Sequence, residues 1–188
     1  TDGSLTLRTQ AEVDAFARSG INTVEGNLTI GGEDEENPVT NLDGLKNLVS
    51  VRCDLTITAA YTGETLAGLE NLTACESLRI GSAAHPNETL RQLSLPALKE
   101  IKGDLCVYGT ALQTADFKSL QSVAGHFVLQ SDALLQLTAD ELTTVAGNMT
   151  LIGTTADEAK APCEQMYFPK LQRIDGTLTL SRFDRLSG

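Results

Sequence analysis

One seven-residue phrase recurs along the chain, and it constrains the fold more than any other feature. It first reads Val24-Glu-Gly-Asn-Leu-Thr-Ile30 and then Val51-Arg-Cys-Asp-Leu-Thr-Ile57. It returns as Ile101-Lys-Gly-Asp-Leu-Cys-Val107, Val123-Ala-Gly-His-Phe-Val-Leu129, Val145-Ala-Gly-Asn-Met-Thr-Leu151 and Ile174-Asp-Gly-Thr-Leu-Thr-Leu180. A copy one residue shorter, Cys75-Glu-Ser-Leu-Arg-Ile80, brings the total to seven. Gly103, Gly125, Gly147 and Gly176 stand 22, 22 and 29 residues apart. A repeat this short cannot bury its own apolar edge. Stacked copies can share one core, which is the physics of a solenoid.

Inside each repeat the Leu-Thr-Ile step alternates with period two and predicts a short strand. Upstream, apolar residues fall on every third position: Leu42, Leu45 and Leu48; Leu66, Leu69 and Leu72; Leu95 and Leu98; Phe117 and Leu120; Phe168 and Leu171. Period three is neither helical nor extended, and it fits a chain that turns corners while pointing one apolar residue inward on each side. The predicted fold is mainly β, a right-handed parallel β-solenoid of about seven coils, rising ~4.8 Å per coil. The glycine before each strand marks a tight corner or a close backbone approach. Cys53 in that slot shows that positive φ is not required in every coil. The chain reads as one domain over residues 1–188, with a cap over 1–20 and repeats over 21–180. Thr9-Gln-Ala-Glu12 has capping-box spacing, Val13, Phe16 and Ala17 share an apolar face, and Gly20 suits a helix end. A helix over 10–18 is therefore expected to cover the first coil. No equally clear cap signal stands at the other end.

Charge excludes some function classes. Lys and Arg number 14 against 25 Asp and Glu, a net charge of −11. Nucleic acid and anionic membrane are bound through clustered cations and are not expected partners. At 41% hydrophobic residues the chain is too apolar for a disordered acidic tail. No apolar run is long enough to span a bilayer. Aromatics make up 4% and Trp is absent, so large stacking platforms are not expected. Without an initiator Met or a signal peptide, the sequence reads as a mature or trimmed chain. Cys53, Cys75, Cys106 and Cys163 match no zinc or redox spacing. Cys53 and Cys75 lie on adjacent coils and read equally as a disulfide or as buried free thiols; Cys106 with Cys163 is the weaker pairing. Sequons stand at Asn27, Asn71, Asn87 and Asn148. In a eukaryotic secreted chain they would be glycosylation acceptors, although Asn27, Asn71 and Asn148 also arise as by-products of the repeat.

The pattern Leu-x-x-Leu-x-x-Ile-x-Gly-[Asn/Asp]-Leu-x-Ile resembles the receptor L domain, found in the extracellular parts of insulin and epidermal-growth-factor receptors. It is similar to L-domain repeats in fungal cell-wall proteins and in exported surface proteins of gut anaerobic bacteria. The opening from Leu5 to Phe16, followed by Gly-Asn-Leu-Thr-Ile, resembles the bacterial group most. The dense cysteine framework that flanks animal L domains is missing. So is the Asn ladder of ordinary leucine-rich repeats, whose consensus only Leu90-x-x-Leu93-x-Leu95 approaches. The resemblance implies an exported solenoid, at the cell surface or in the periplasm, that binds a partner. Lipid anchoring through a removed N-terminal lipoprotein signal is consistent with that origin.

Strand alternation places two columns outward: Thr29, Thr56, Arg79, Cys106, Val128, Thr150 and Thr179, and beside it Asn27, Asp54, Ser77, Asp104, His126, Asn148 and Thr177. A third begins with Tyr108 and Gln130. The candidate binding residues are Arg79, Asp104, Tyr108, His126 and Gln130, since Arg and Tyr are favoured at interface hot spots. The plainer reading is a solvated β face with Thr chosen for strand propensity. Cys106, His126 and Asp104 also form the residue set of a thiol nucleophile, base and orienter. A flat sheet offers that set neither a cleft nor oxyanion donors, and no catalytic residue is assigned. The run Glu33-Asp-Glu-Glu36 supplies oxygen ligands suited to Ca²⁺ but lacks EF-hand spacing and reads as a solvated loop. No metal site and no cofactor are expected. His85 sits in a loop beside Pro86. Insertions at 31–38, 59–64, 81–87 and 154–165 would form a common surface if they project from one edge. The expected function is a non-catalytic, exported cell-surface module for adhesion, scaffolding or binding of a protein or glycan. The alternative is a β-helical carbohydrate-active enzyme, which needs paired carboxylates or a base near Ca²⁺ in a groove. An architectural spacer is the third reading.

Overall fold

Each Leu-Thr-Ile phrase forms a strand, and successive strands pair in parallel. A computed structural model describes residues 3–32, 36–153 and 163–183. Its long sheet has eight strands: Leu5–Leu7, Leu28–Ile30, Leu55–Ile57, Leu78–Ile80, Leu105–Tyr108, Phe127–Gln130, Met149–Ile152 and Leu178–Ser181. Their register stacks Leu5, Leu28, Leu55, Leu78, Leu105, Phe127, Met149 and Leu178 in one column. Leu7, Ile30, Ile57, Ile80, Val107, Leu129, Leu151 and Leu180 form the second. The residues between them face outward, as the period-two pattern requires.

The Val, Ile or, at position 75, Cys that opens each phrase belongs to a second parallel sheet of seven two-residue strands, from Thr23–Val24 to Arg173–Ile174. The seven strand pairs bound about six full turns of a parallel β-solenoid. A third sheet of four strands, Gln92–Ser94, Thr114–Asp116, Gln136–Thr138 and Gln165–Tyr167, appears only in the later coils and has no clear signature in the repeat. On that side of an early coil the chain makes a 3-10 turn at Asp43–Leu45 instead.

Period three now has a physical cause. Leu45 N–H donates to Leu42 O, Leu48 to Leu45, Leu69 to Leu66, Leu72 to Leu69, Leu98 to Leu95, Leu120 to Phe117 and Leu171 to Phe168. Each bond closes an i to i+3 turn, which brings every third side chain back to the interior. The glycine slot is likewise explained by close approach. A Cβ on Gly125 would meet the Gly103 backbone, one on Gly147 the Gly125 backbone, and one on Gly176 the Gly147 backbone. Positive φ is found elsewhere, at Gly20, Gly31, Gly68 and Gly81.

The helix runs Gln10–Ala17, one residue shorter than expected, with the Thr9 and Glu12 capping box formed. Val13 and Phe16 are buried and Ala17 is exposed. A side chain on Gly44 would strike the Val13 carbonyl, so the helix lies directly on the turn at Asp43–Leu45. The cap is more than this helix: Leu5–Leu7 precedes it as the first strand of the long sheet. The far end of the core is more open. Leu178 and Leu180 are 51% and 47% exposed, whereas Leu129, two positions before Leu180 in its column, is fully buried. Among the described residues no helix is long and apolar enough to cross a membrane.

Candidate functional site: a polar sheet face and a loop-edge groove

The column before each long-sheet strand is a ladder of side chains accepting from main chain. Asn27 Oδ1 accepts from Asp54 N–H at 3.1 Å and Ser77 Oγ from Asp104 N–H at 3.3 Å. Asp104 Oδ1 accepts from His126 N–H, His126 Nδ1 from Asn148 N–H and Asn148 Oδ1 from Thr177 N–H, each at 2.9 Å. Each acceptor satisfies an amide at the start of a strand. Two of the expected binding residues, Asp104 and His126, therefore help to hold adjacent coils in register. His126 accepts through Nδ1, so its ring proton sits on Nε2.

Arg79 is the only Lys or Arg in the two outward columns. Its guanidinium lies between two carboxylates, 3.9 Å from Asp54 Oδ2 and 3.5 Å from Asp104 Oδ2. Cys106 is its register partner on the next strand. Tyr108 and Gln130 are register partners of each other in the third outward column. The structure thus links Arg79 to Asp104, Asp104 to His126, and Tyr108 to Gln130 on one face. Burial pushes the Cys106 thiol above its ordinary range, with Arg79 opposing and Asp104 adding to the shift. Burial likewise raises the Tyr108 phenol.

Cys106, His126 and Asp104 are not arranged as a catalytic triad. Asp104 bonds the His126 main chain rather than its ring, and the Nδ1 that an orienting carboxylate would engage is taken by Asn148. The thiol is also shifted away from the thiolate. Asp54 and Asp104 flank a guanidinium instead of facing each other across a cleft. Among the described residues no three His, Cys, Asp or Glu side chains converge as a metal site. Glu33, Asp34 and Glu35 of the acidic run, and residues 154–162 of the last insertion, lie outside the described residues.

At one edge of the same face, loops after three successive strands form a groove of about 570 Å³. Gly31 and Gly32 line it with Thr56, Thr58, Ala59, Ala60, Gly81, Ser82 and His85. Thr56 belongs to the outward column beside Arg79, so groove and face are continuous. Side chains at Gly31 and Gly81 would collide with Thr58 Oγ1 and with the Tyr108 carbonyl, and both residues have positive φ. The Ser82–His85 turn closes on itself, with Ser82 N–H bonded to the His85 carbonyl and His85 N–H to Ser82 Oγ. The insertions at 59–64 and 81–87 do meet on one edge, as repeat-derived loops do.

Asn87 braces this groove from below, a role the sequence reading missed. It is fully buried. Its Nδ2 donates to the Tyr61 carbonyl at 2.8 Å and the Thr58 carbonyl at 3.3 Å. Its Oδ1 accepts from Leu90 N–H at 2.8 Å and Thr89 N–H at 3.1 Å. Beside it, the buried Tyr61 hydroxyl donates to the Thr65 carbonyl. Asn87 is thus closed to a glycan in the folded chain, whereas Asn27, Asn71 and Asn148 are exposed. The local signal was an Asn two residues before Thr89, which reads as an Asx turn as readily as a sequon. All four cysteines are free thiols, which decides Cys53 and Cys75 against a disulfide in this structure. No protein-family model, no curated protein and no solved structure matches the chain.

Proposed function

We propose that the chain is a non-catalytic binding module exported to a cell surface, where it recognises an extracellular protein or glycan with the outer face of its long sheet. The observation that carries this reading is Arg79. It is a 41% exposed cation held between two carboxylates, beside Tyr108, at the middle of a rigid parallel sheet. A side chain already ordered by ion pairs loses little rotamer freedom on docking, and Arg and Tyr are the residues that dominate interface energetics. The sheet supplies the rigidity, since each strand is fixed by its neighbours and by the side-chain ladder. Export follows from the resemblance of the repeats to L-domain surface proteins, and attachment by a lipid anchor would fit the same setting.

The test uses the purified chain on arrays of immobilised glycans and of extracellular proteins, alongside Arg79→Ala and Tyr108→Phe. The expected result is a saturable ligand whose affinity falls about tenfold or more with Arg79→Ala, the loss typical of a hot-spot Arg. A ligand indifferent to both substitutions would place recognition elsewhere. Turnover of a glycan on the array would replace the reading with the carbohydrate-active alternative.

A further inference from the structure

The loop-edge groove is chemically different from the face around Arg79. Among the described residues its lining includes no Asp, Glu, Lys, Arg or aromatic side chain, and His85 is the one titratable group among them. At about 570 Å³ it falls within the usual size of small-ligand sites. Its main-chain donors are largely spent inside the protein. Gly31 N–H bonds Leu7 O, Thr58 N–H bonds Ile30 O, Gly81 N–H bonds Ile57 O and Ser82 N–H bonds His85 O. Ala60 N–H is bonded to Thr58 Oγ1. Few of the described main-chain donors are left for an extended peptide to pair with.

Hydroxyls remain. Thr58 Oγ1 and Ser82 Oγ each accept one main-chain N–H and keep an O–H to donate. Thr56 projects outward from the strand and lines the groove. Between them lie the methyls of Ala59 and Ala60 and bare glycine backbone. Against the described lining a charged ligand would lose hydration without meeting a counter-charge. A neutral ligand with ring C–H surface and several hydroxyls meets both kinds of wall. The groove is also built to hold its shape, because buried Asn87 ties the 58–61 and 87–90 segments together beneath it.

We propose that this groove binds a neutral sugar, one end of a glycan chain, whose hydroxyls pair with Thr56, Thr58 and Ser82 and whose C–H face rests on Ala59 and Ala60. The inference rests on the reading of the chain as a binding module and assigns it a glycan subsite separate from Arg79. Without an aromatic platform, affinity for a single sugar is weak, and a longer chain would gain by continuing across Thr56 onto the sheet face.

The test follows backbone amide NMR shifts of the whole chain during titration with methyl glycosides of glucose, galactose, mannose and N-acetylglucosamine. Glucuronate, glucosamine and a tetra-alanine peptide serve as charged and peptide probes. The expected result is saturable movement of Gly31, Gly32, Ala59, Ala60 and Gly81 with at least one neutral glycoside. Charged sugars should bind at least several-fold more weakly, and the peptide should leave the groove unmoved. Ala60→Phe fills the groove and should abolish the shifts. Thr56→Val removes one groove-lining hydroxyl while keeping a β-branched side chain, so it tests the same contact if Ala60→Phe misfolds, with an expected loss of roughly tenfold. Lys170→Ala, at an exposed ion pair with Glu141 away from the groove lining, should leave these shifts intact. Three results would overturn the inference: no neutral glycoside moves these amides, a charged sugar or the peptide moves them as strongly, or the shifts survive Thr56→Val at full affinity. If a sugar instead moves Arg79, Tyr108 and Gln130, the groove assignment falls while the binding module stands. Groove shifts that persist while no ligand on the arrays responds to Arg79→Ala would leave the groove standing and overturn the reading of the sheet face.

Discussion

Replacing Asn87 with Ala should be among the most damaging single changes outside the apolar columns. The side chain is fully buried and makes two donated and two accepted main-chain bonds. The acceptors it leaves are not stranded: Thr89 Oγ1 still donates to the Tyr61 carbonyl, and Tyr61 N–H still donates to the Thr58 carbonyl. The donors are stranded, because the part-buried Thr89 N–H and the buried Leu90 N–H would lose the acceptor they share. Each orphaned donor costs about 1–2 kcal/mol, and with the lost packing the total is about 3–5 kcal/mol. Against a typical stability of about 5–15 kcal/mol, that is a large fraction. At a urea slope near ~2 kcal/mol/M the midpoint should fall by about 2 M. Far-ultraviolet circular dichroism during urea titration reads the midpoint. Tyrosine emission adds a local probe, because the chain has three Tyr and no Trp and Tyr61 sits at the site. Hydrogen exchange should show lost protection at Thr89 and Leu90. Asn71→Ala is the control: that exposed side chain makes one bond, to the Lys46 carbonyl, and should cost under about 0.5 kcal/mol. A penalty for Asn87→Ala below about 1 kcal/mol, with Thr89 and Leu90 still protected, would refute the reasoning.

Position along the axis should decide the cost of a core truncation: Leu129→Ala, fully buried, should lose about 2–5 kcal/mol, and Leu180→Ala, 47% exposed in the same column, clearly less, both measured by urea titration. Asn148→Ala removes the acceptor for Thr177 N–H at an exposed site and should cost about 0.5–1.5 kcal/mol, with faster exchange of the Thr177 amide. Burial pushes the Cys75 thiol from an ordinary value near 9.0 up to about 12, so the folded chain holds that proton after the unfolded chain has released it. Stability from this thiol should then be complete below about pH 9 and fall as pH rises toward 12, by up to about 1.4 kcal/mol per pH unit. Tyr61 is shifted in the same direction by burial. Denaturant midpoints recorded across that alkaline window, against Cys75→Ala, should show the slope reduced in the variant. Thiol labelling near neutral pH should modify half-exposed Cys53 well before buried Cys75.

The inward columns were legible residue by residue because strand alternation and a fixed repeat leave one register that lines up Leu28, Leu55, Leu105 and Leu178 along one axis. The capping helix was legible for a similar reason, since Thr9 and Glu12 satisfy each other locally. What escaped had no local period. Leu5–Leu7 pairs with a strand two dozen residues away, and the third sheet exists only in the later coils. The side-chain ladder escaped because Asn27, Ser77, Asp104, His126 and Asn148 share geometry rather than chemistry: each merely offers an acceptor at the right corner. Of the candidate site, Arg79, Asp104, Tyr108, His126 and Gln130 were found as columns, but not the ion pairs and ladder bonds that occupy them. The groove was visible only as small-residue loops, and Asn87 was read through its sequon rather than its burial.

The central claim is that one phrase, repeated, stacks in parallel and in register along a single axis. Main-chain proton contacts in solution test it most directly. The account predicts inter-strand contacts at Thr29 with Thr56, Cys106 with Val128, and Thr150 with Thr179, all with the parallel pattern and without the close Hα–Hα pairs of antiparallel strands. Antiparallel contacts, or a register displaced by one residue at these junctions, would contradict it.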